Sequence, residues 1–151
     1  MTIASLLESL TEDERDFIAQ LDYGNDANQH RSALDNVIAA GGAVDFESMG
    51  CWHPYEVIEL GKNSLQTGHE REYAACLCIV LLNIERGADK SNDLEWIIEN
   101  QADSISRLPT ELSGMITELV DRIIENANKM VEATAISRHI ESESCAPPPH
   151  L

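Results

Sequence analysis

The sequence predicts an all-α protein, because helix signals recur along the chain and strand signals are nearly absent. Capping residues precede segments whose apolar residues recur every three or four positions, the period of a helix that is buried on one side. Proline and glycine mark where those segments begin and end. Six such segments are evident, and we expect three antiparallel pairs, stacked like HEAT or armadillo repeats or gathered in a compact helical bundle.

The first predicted pair lies in the N-terminal third of the chain. Thr11 and Glu14 have the spacing of a capping box, in which each side chain accepts a hydrogen bond from the backbone N–H of the other residue, so a helix should begin there. A second helix is predicted over 26–40, and the pair Gly41-Gly42 should end it.

The second predicted pair supplies the centre of the core. Pro54 suits the first position of a helix, because proline has no N–H to leave unbonded there. The next helix is predicted over 69–86, and between residues 73 and 84 only Asn83 is polar. A helix that is apolar all round is buried, so we expect this one to be central.

The third predicted pair begins near Ser91 and at Pro109, and its last helix should run towards residue 140. Three consecutive prolines follow, which excludes a helix there. We therefore expect a single helical domain over 1–140 and a disordered proline-rich tail over 141–151. Corresponding helices start about 40 residues apart, a spacing close to that of HEAT and armadillo repeats.

The charge balance restricts the classes of partner. The chain of 151 residues carries 27 acidic and 10 basic side chains, a formal net charge of −17. Such a field repels phosphate backbones and anionic membranes and attracts cationic proteins. The longest apolar run, 73–82, is too short to span a bilayer, and no signal peptide is evident. We expect a cytoplasmic protein that binds neither nucleic acid nor membrane directly.

Catalytic and metal-binding patterns are weak. The four cysteines form no CxxC pair, and no HExxH, Gly-x-Ser-x-Gly or phosphate-binding glycine loop occurs. His53 and His69 stand near several glutamates, which leaves a metal site or an acid–base pair as an alternative, although the ligand spacing is absent. We expect no enzyme, no cofactor and no metal.

Acidic helix ends and nearby aromatic residues are the candidate binding residues. If the helices stack in pairs, the acidic ends of the first two pairs line one rim, where a negative field would steer a basic protein. Tryptophan and tyrosine are favoured at binding hot spots, although core packing is the equal alternative for Trp52. Arg71 could pair with Glu56 or Glu59, or face solvent. The candidate partner-binding residues are Asp22, Asp26, Asp45, Glu47, Trp52, Tyr55, Glu56 and Glu59.

One stretch resembles a known family. The segment WHPYEVIEL at 52–60, followed by GHEREY at 68–73 before an apolar helix, is similar to bacterial immunity proteins of contact-dependent growth inhibition and related polymorphic toxin systems. The resemblance implies a small cytoplasmic protein that binds the C-terminal toxin domain of a partner, one to one, and occludes its activity. Many such toxins are nucleases, whose positive surface would complement this acidic chain.

As the first hypothesis, these observations favour an immunity protein that neutralises a basic toxin domain, which we expect to be a nuclease. An acidic nucleic-acid mimic that inhibits DNA-handling proteins in general is the second. A helical-repeat interaction scaffold is a further alternative, and an enzyme that uses His53 and His69 is the remaining one.

Overall fold

The computed structural model describes residues 1–21, 27–42, 54–86 and 91–144, and the regular structure within these ranges is entirely helical. The all-α prediction is confirmed, although these ranges hold eight helices rather than six. The helices are α1 (Ile3–Ser9), α2 (Glu12–Gln20), α3 (Ala27–Ala39), α4 (Pro54–Gly61), α5 (Ser64–Thr67), α6 (Glu70–Arg86), α7 (Ser91–Ser106) and α8 (Thr110–Ser144).

The two helices that the prediction lacked are short. α1 begins with a capping box in which Thr2 Oγ1 accepts from the Ser5 N–H at 3.1 Å and Ser5 Oγ accepts from the Thr2 N–H at 2.9 Å. Serine replaces the glutamate or glutamine of the usual box, which weakens the sequence signal. α5 is a single turn of four residues directly after α4, too short to show a periodic pattern.

Two predicted limits of the first pair, the start of α2 and the end of α3, agree with the structure. Glu14 Oε1 accepts from the Thr11 N–H at 2.9 Å, and Thr11 Oγ1 accepts from the Glu14 N–H at 3.1 Å. Gly41 and Gly42 end α3 with positive φ angles of 80° and 89°. The positive φ of Gly42 favours glycine, and a Cβ there would also lie 2.8 Å from Leu7 Cδ1, so a larger residue would have to displace that side chain of α1.

α6 is the central helix, as predicted. Its residues from Glu72 to Leu81 are all buried, and it contacts α1, α2, α4, α5 and α7. The one buried amide of the helix, on Asn83, donates to the carbonyl oxygens of Gly42 at 3.0 Å and Ile79 at 2.7 Å. These bonds join the turn after α3 to the centre of the core.

Two free thiols, on Cys76 and Cys78, lie within α6 and are buried. Burial disfavours the thiolate, and it raises the pKa of both thiols, to about 12 for Cys78. Both thiols are therefore favoured in the protonated, unreactive form.

The helices that the prediction paired along the first half of the chain are in contact: α2 packs against α3, and α4 packs against α6. The chain divides into two compact units, Met1–Leu119 and Val120–Leu151. α8 ends at Ser144, beyond the boundary expected at residue 140, and the rest of the predicted tail lies outside the described residues. The single helical domain over 1–140 stays a prediction. No helix in the described ranges has the length and apolar character needed to cross a bilayer.

Candidate functional site

Most of the candidate binding residues predicted from the sequence lie outside the described ranges or on their margin. Asp22, Asp26, Asp45, Glu47 and Trp52 belong to segments that the structure does not describe, as does His53. Tyr55 and Glu56 lie in the first turn of α4. Glu59 is the one candidate whose side chain can be placed.

The Glu59 carboxylate lies at the exposed end of a polar chain that joins three helices. It accepts from Lys62 Nζ at 3.1 Å and from Gln101 Nε2 at 3.2 Å. Gln101 is fully buried, and its Oε1 accepts from the Tyr73 hydroxyl at 2.5 Å. Burial raises the pKa of Tyr73, which keeps this hydroxyl protonated as a donor. Glu59 therefore helps to fasten α4 to α6 and α7, besides facing solvent.

His69 lies immediately before α6, where its ring stacks on Phe17 of α2 with centroids 3.8 Å apart and planes inclined by 8°. Its Nδ1 forms a hydrogen bond with the Glu72 carboxyl group, one turn into the helix. One face of the imidazole is therefore covered, and one ring nitrogen is engaged. This arrangement fixes the start of α6 against α2.

Arg71 connects the same point to α1 and α2. Its Nε donates to Glu14 Oε2 at 2.9 Å, and its Nη2 donates to the Ser9 hydroxyl at 2.8 Å and the Ser9 carbonyl at 3.2 Å. The sequence left Glu56, Glu59 or solvent as the alternatives for the Arg71 side chain. Glu14 was not among the predicted partners, because it lies far from Arg71 along the chain. Partial burial disfavours the Glu14 carboxylate, but hydrogen bonds from Arg71 and Thr11 outweigh that cost and lower its pKa.

The Glu72 carboxyl group is nearly inaccessible to solvent, and its pKa shifts in the direction opposite to that of Glu14. Burial raises its pKa, and a hydrogen bond with Glu14 adds to the rise, against the opposing effect of His69. An acid, a base and a guanidinium thus meet where α1, α2 and α6 join. An acid and a base can exchange a proton, but here these groups form hydrogen bonds with one another and hold helix ends together. No group of three or more possible ligands for a metal ion occurs among the described residues.

A second charged cluster joins α2 to α3, and we call it the α2–α3 network. Arg31 donates to Glu12 Oε2 at 2.5 Å, to Asp16 Oδ1 at 2.5 Å and to Asp35 Oδ1 at 3.0 Å. Arg15 donates to the same Asp35 oxygen at 2.9 Å. The bond to Glu12, with those to Asp35 and Asp16, raises the pKa of the Arg31 guanidinium.

Asp35 responds to the same network. Partial burial acts against its charged form, yet the hydrogen bonds from Arg31 and Arg15 are stronger and lower the pKa of the Asp35 carboxyl group. The charged form of Asp35 is therefore favoured, and each of the three carboxylates of the network has an arginine partner within the protein.

A different kind of acidic surface occurs on α7. Its packed side is lined by Leu94, Ile97, Gln101, Ser104 and Leu108, all buried. The opposite side, which we call the outer face of α7, consists of exposed residues at helical spacing: Glu95, Ile98, Glu99, Ala102, Asp103 and Ser106.

Three carboxylates on that face form an acidic ridge, Glu95, Glu99 and Asp103, one turn apart from each other. They are about 6 Å apart along the helix axis. No basic side chain in the described part of the chain forms an ion pair with any of them, in contrast to the carboxylates of the α2–α3 network. Ile98 lies on one flank of the ridge with 42% of its surface exposed, and Trp96 lies half-buried on the other flank.

The residues of the ridge are not among the eight candidates predicted from the sequence. The signal was nevertheless present, because the acids recur every four residues through a helix that contains no lysine or arginine.

No protein-family model, curated protein or solved structure matches this chain.

Proposed function

We propose that this chain is an immunity protein that binds a cognate toxin domain of basic character and neutralises it by covering its active or substrate-binding surface. The observation that supports this proposal is the excess of negative charge, −17 over the chain, part of which lies on an exposed helix face whose carboxylates form no ion pair with the described basic side chains. Uncompensated charge of one sign attracts a partner of the other sign.

A nuclease toxin is the partner class that fits this charge best. A protein that cleaves nucleic acid needs positive surface to hold phosphates, and an acidic inhibitor can occupy the same surface. Complementary charge also accelerates encounter, which matters for an inhibitor that must act before its toxin does. The proposed complex is one to one, forms in the cytoplasm and involves no catalysis by this chain.

The helical framework suits a rigid inhibitor. In the proposed arrangement the helix pairs, of which α2 with α3 and α4 with α6 are in contact, stack as in HEAT-like repeats. Such stacking would bring the acidic ends of the first two pairs to one rim. Together with Glu59 on α4, the candidates in the segments around that helix would then contribute to the toxin contact.

A nucleic-acid mimic is the second candidate, and the acidic ridge of α7 is the observation that favours it. Carboxylates at regular intervals along a straight axis imitate the linear charge of a phosphate backbone. The two functions differ in selectivity, because a mimic would bind unrelated DNA-handling proteins with similar affinity, whereas an immunity protein discriminates its own toxin from near relatives.

The test is capture of the tagged chain with its partners from the bacterium that encodes it, followed by mass spectrometry and a growth assay. We expect one toxin C-terminal domain in equal stoichiometry, and we expect the chain to restore growth of cells that express that domain. Recovery of many basic proteins without protection would instead indicate a mimic. Recovery of a stoichiometric partner whose toxicity is unchanged by this chain would contradict both.

A further inference from the structure

We propose that the outer face of α7 is the surface that docks the basic toxin domain, with Ile98 entering an apolar depression of the partner and the acidic ridge contacting lysine and arginine side chains around it. The inference rests on the proposed function, and it adds to the toxin contact a helix face on which none of the eight candidate residues lies.

First, the outer face of α7 is exposed, whereas the packing of α7 uses the opposite side of the helix. The residues that hold α7 in the core, with Ile97 and Gln101 fully buried, all lie on its inner side. Gln101 in addition accepts from Tyr73 of α6, which fixes the rotation of α7 about its axis. The outer face is therefore presented in a defined orientation, and a partner can bind it without disturbing the core.

The second argument is that the ridge opposes the stability of its own helix. Like charges one turn apart repel each other, and a lysine at the middle position would turn both repulsions into attractions. Two other helices have an acid and a base at this spacing, Arg31 with Asp35 and Glu125 with Lys129. A run of three acids without a basic residue is of no benefit to the fold, and it suits an external positive surface.

The third argument concerns the apolar residues beside the ridge. An exposed isoleucine and a half-buried tryptophan flank the three carboxylates, so the face combines apolar contact area with charge. At protein interfaces, apolar and aromatic side chains supply much of the binding energy, while complementary charges supply orientation and a faster encounter. A second copy of this chain is a poor occupant, because it would bring two ridges of the same charge together.

The test compares a ridge variant with a variant of equal charge. The ridge variant is Glu95→Lys with Glu99→Lys, and the control is Glu8→Lys with Asp121→Lys, two exposed acids on α1 and α8. Both raise the net charge by the same amount. Binding is measured by calorimetry with two probes, the toxin domain that co-purifies with the chain and a lysine oligomer. Thermal denaturation verifies that each variant is folded.

We expect the ridge variant to raise the Kd for both probes by at least about tenfold, and the control to raise it far less. Ile98→Ser should weaken binding of the toxin domain but leave binding of the lysine oligomer unchanged, since the oligomer has no apolar depression. Carbodiimide, which joins carboxylates to lysine amines in contact, should link the toxin domain to the ridge.

Two results would overturn the inference. If the toxin domain binds the ridge variant as tightly as it binds the original chain, the docking surface lies elsewhere although the proposed function stands. If ridge and control variants lose equal affinity, total charge rather than this face governs binding. Absence of any toxin partner would refute the proposed function instead, and the lysine oligomer would still show whether α7 is the cationic docking surface.

Discussion

The α2–α3 network and the outer face of α7 are both acidic, but they use their charge in opposite ways. In the network, each of the three carboxylates contacts an arginine, Arg31 or Arg15, so most of the negative charge is compensated by ion pairs within the protein. On α7 the three carboxylates of the ridge form no ion pair with the described basic residues. The comparison shows that net charge alone does not locate a docking surface, because the position of the counter-charges decides which acids can act on a partner.

The sharpest test of this comparison separates the two sides of α7. Ile97→Ala removes a fully buried side chain, and we expect it to lower the free energy of unfolding by about 2–5 kcal/mol. Ile98→Ala, one residue further, trims a side chain that is 42% exposed, and its effect should stay within about 0.5 kcal/mol. Urea denaturation measures both. Equal losses would mean that Ile98 belongs to the core and the outer face to packing.

Removing the counter-charge of the network should have the next largest effect. Arg31→Met leaves three carboxylates close together, and we expect it to lower the free energy of unfolding by about 1 kcal/mol. The value is modest because the acidic partners of Arg31 are partly exposed.

The same variant should change the titration of Asp35. Arg31 and Arg15 lower its pKa, so its contribution to stability is present above the ordinary aspartate range and is lost as pH falls through the lowered value. In Arg31→Met the pKa should move back up, as measured by NMR titration. An unchanged pKa would show that Arg15 suffices.

A smaller effect is expected at Glu72, where burial raises the carboxyl pKa. Its protonated form is favoured by the fold, so its contribution is present below pH 4.5 and is lost as pH rises through the raised pKa. Glu72→Gln cannot ionise and keeps an oxygen for His69. The variant should therefore gain stability relative to the original chain as pH rises through that window. Parallel profiles from denaturation at several pH values would contradict the assignment.

The smallest effect is expected from Glu99→Lys, which makes attractive pairs with Glu95 and Asp103. The variant should be more stable by about 0.3–0.5 kcal/mol, and the gain should shrink in high salt. Asp16→Lys is the matched control, because it breaks a bond to Arg31 and should destabilise. Denaturation midpoints at low and high salt measure both. A destabilised Glu99→Lys would mean that Glu99 has an internal partner after all.

Local signals along the chain predicted much of this fold. The capping box at Thr11 and the proline at Pro54 each mark a helix start at the observed place, because capping depends only on residues within one turn. The burial of α6 followed from its apolar sequence alone. α1 and α5 were not predicted, because a capping box with serine in place of glutamate and a helix of a single turn leave little sequence pattern to detect.

The contacts between distant residues could not be read in the same way. Arg71 bonds Glu14 and Ser9, which are brought to it by the packing of α1 and α2 on α6. The sequence offers many acids for one arginine, and only the tertiary structure selects among them. The ridge of α7 was visible as a spacing, but its exposure depends on which side of the helix the core covers.

The buried thiols of α6 provide a way to measure how often the core opens. Reagents react with thiolates, and Cys76 and Cys78 lie on the central helix with pKa values raised by burial, so they can react only when the core opens. Their rate of modification therefore counts openings of the helix to which five others are attached. A partner that binds far from α6 would still lower the rate of thiol modification, because any stabilisation of the native state makes opening of the core rarer.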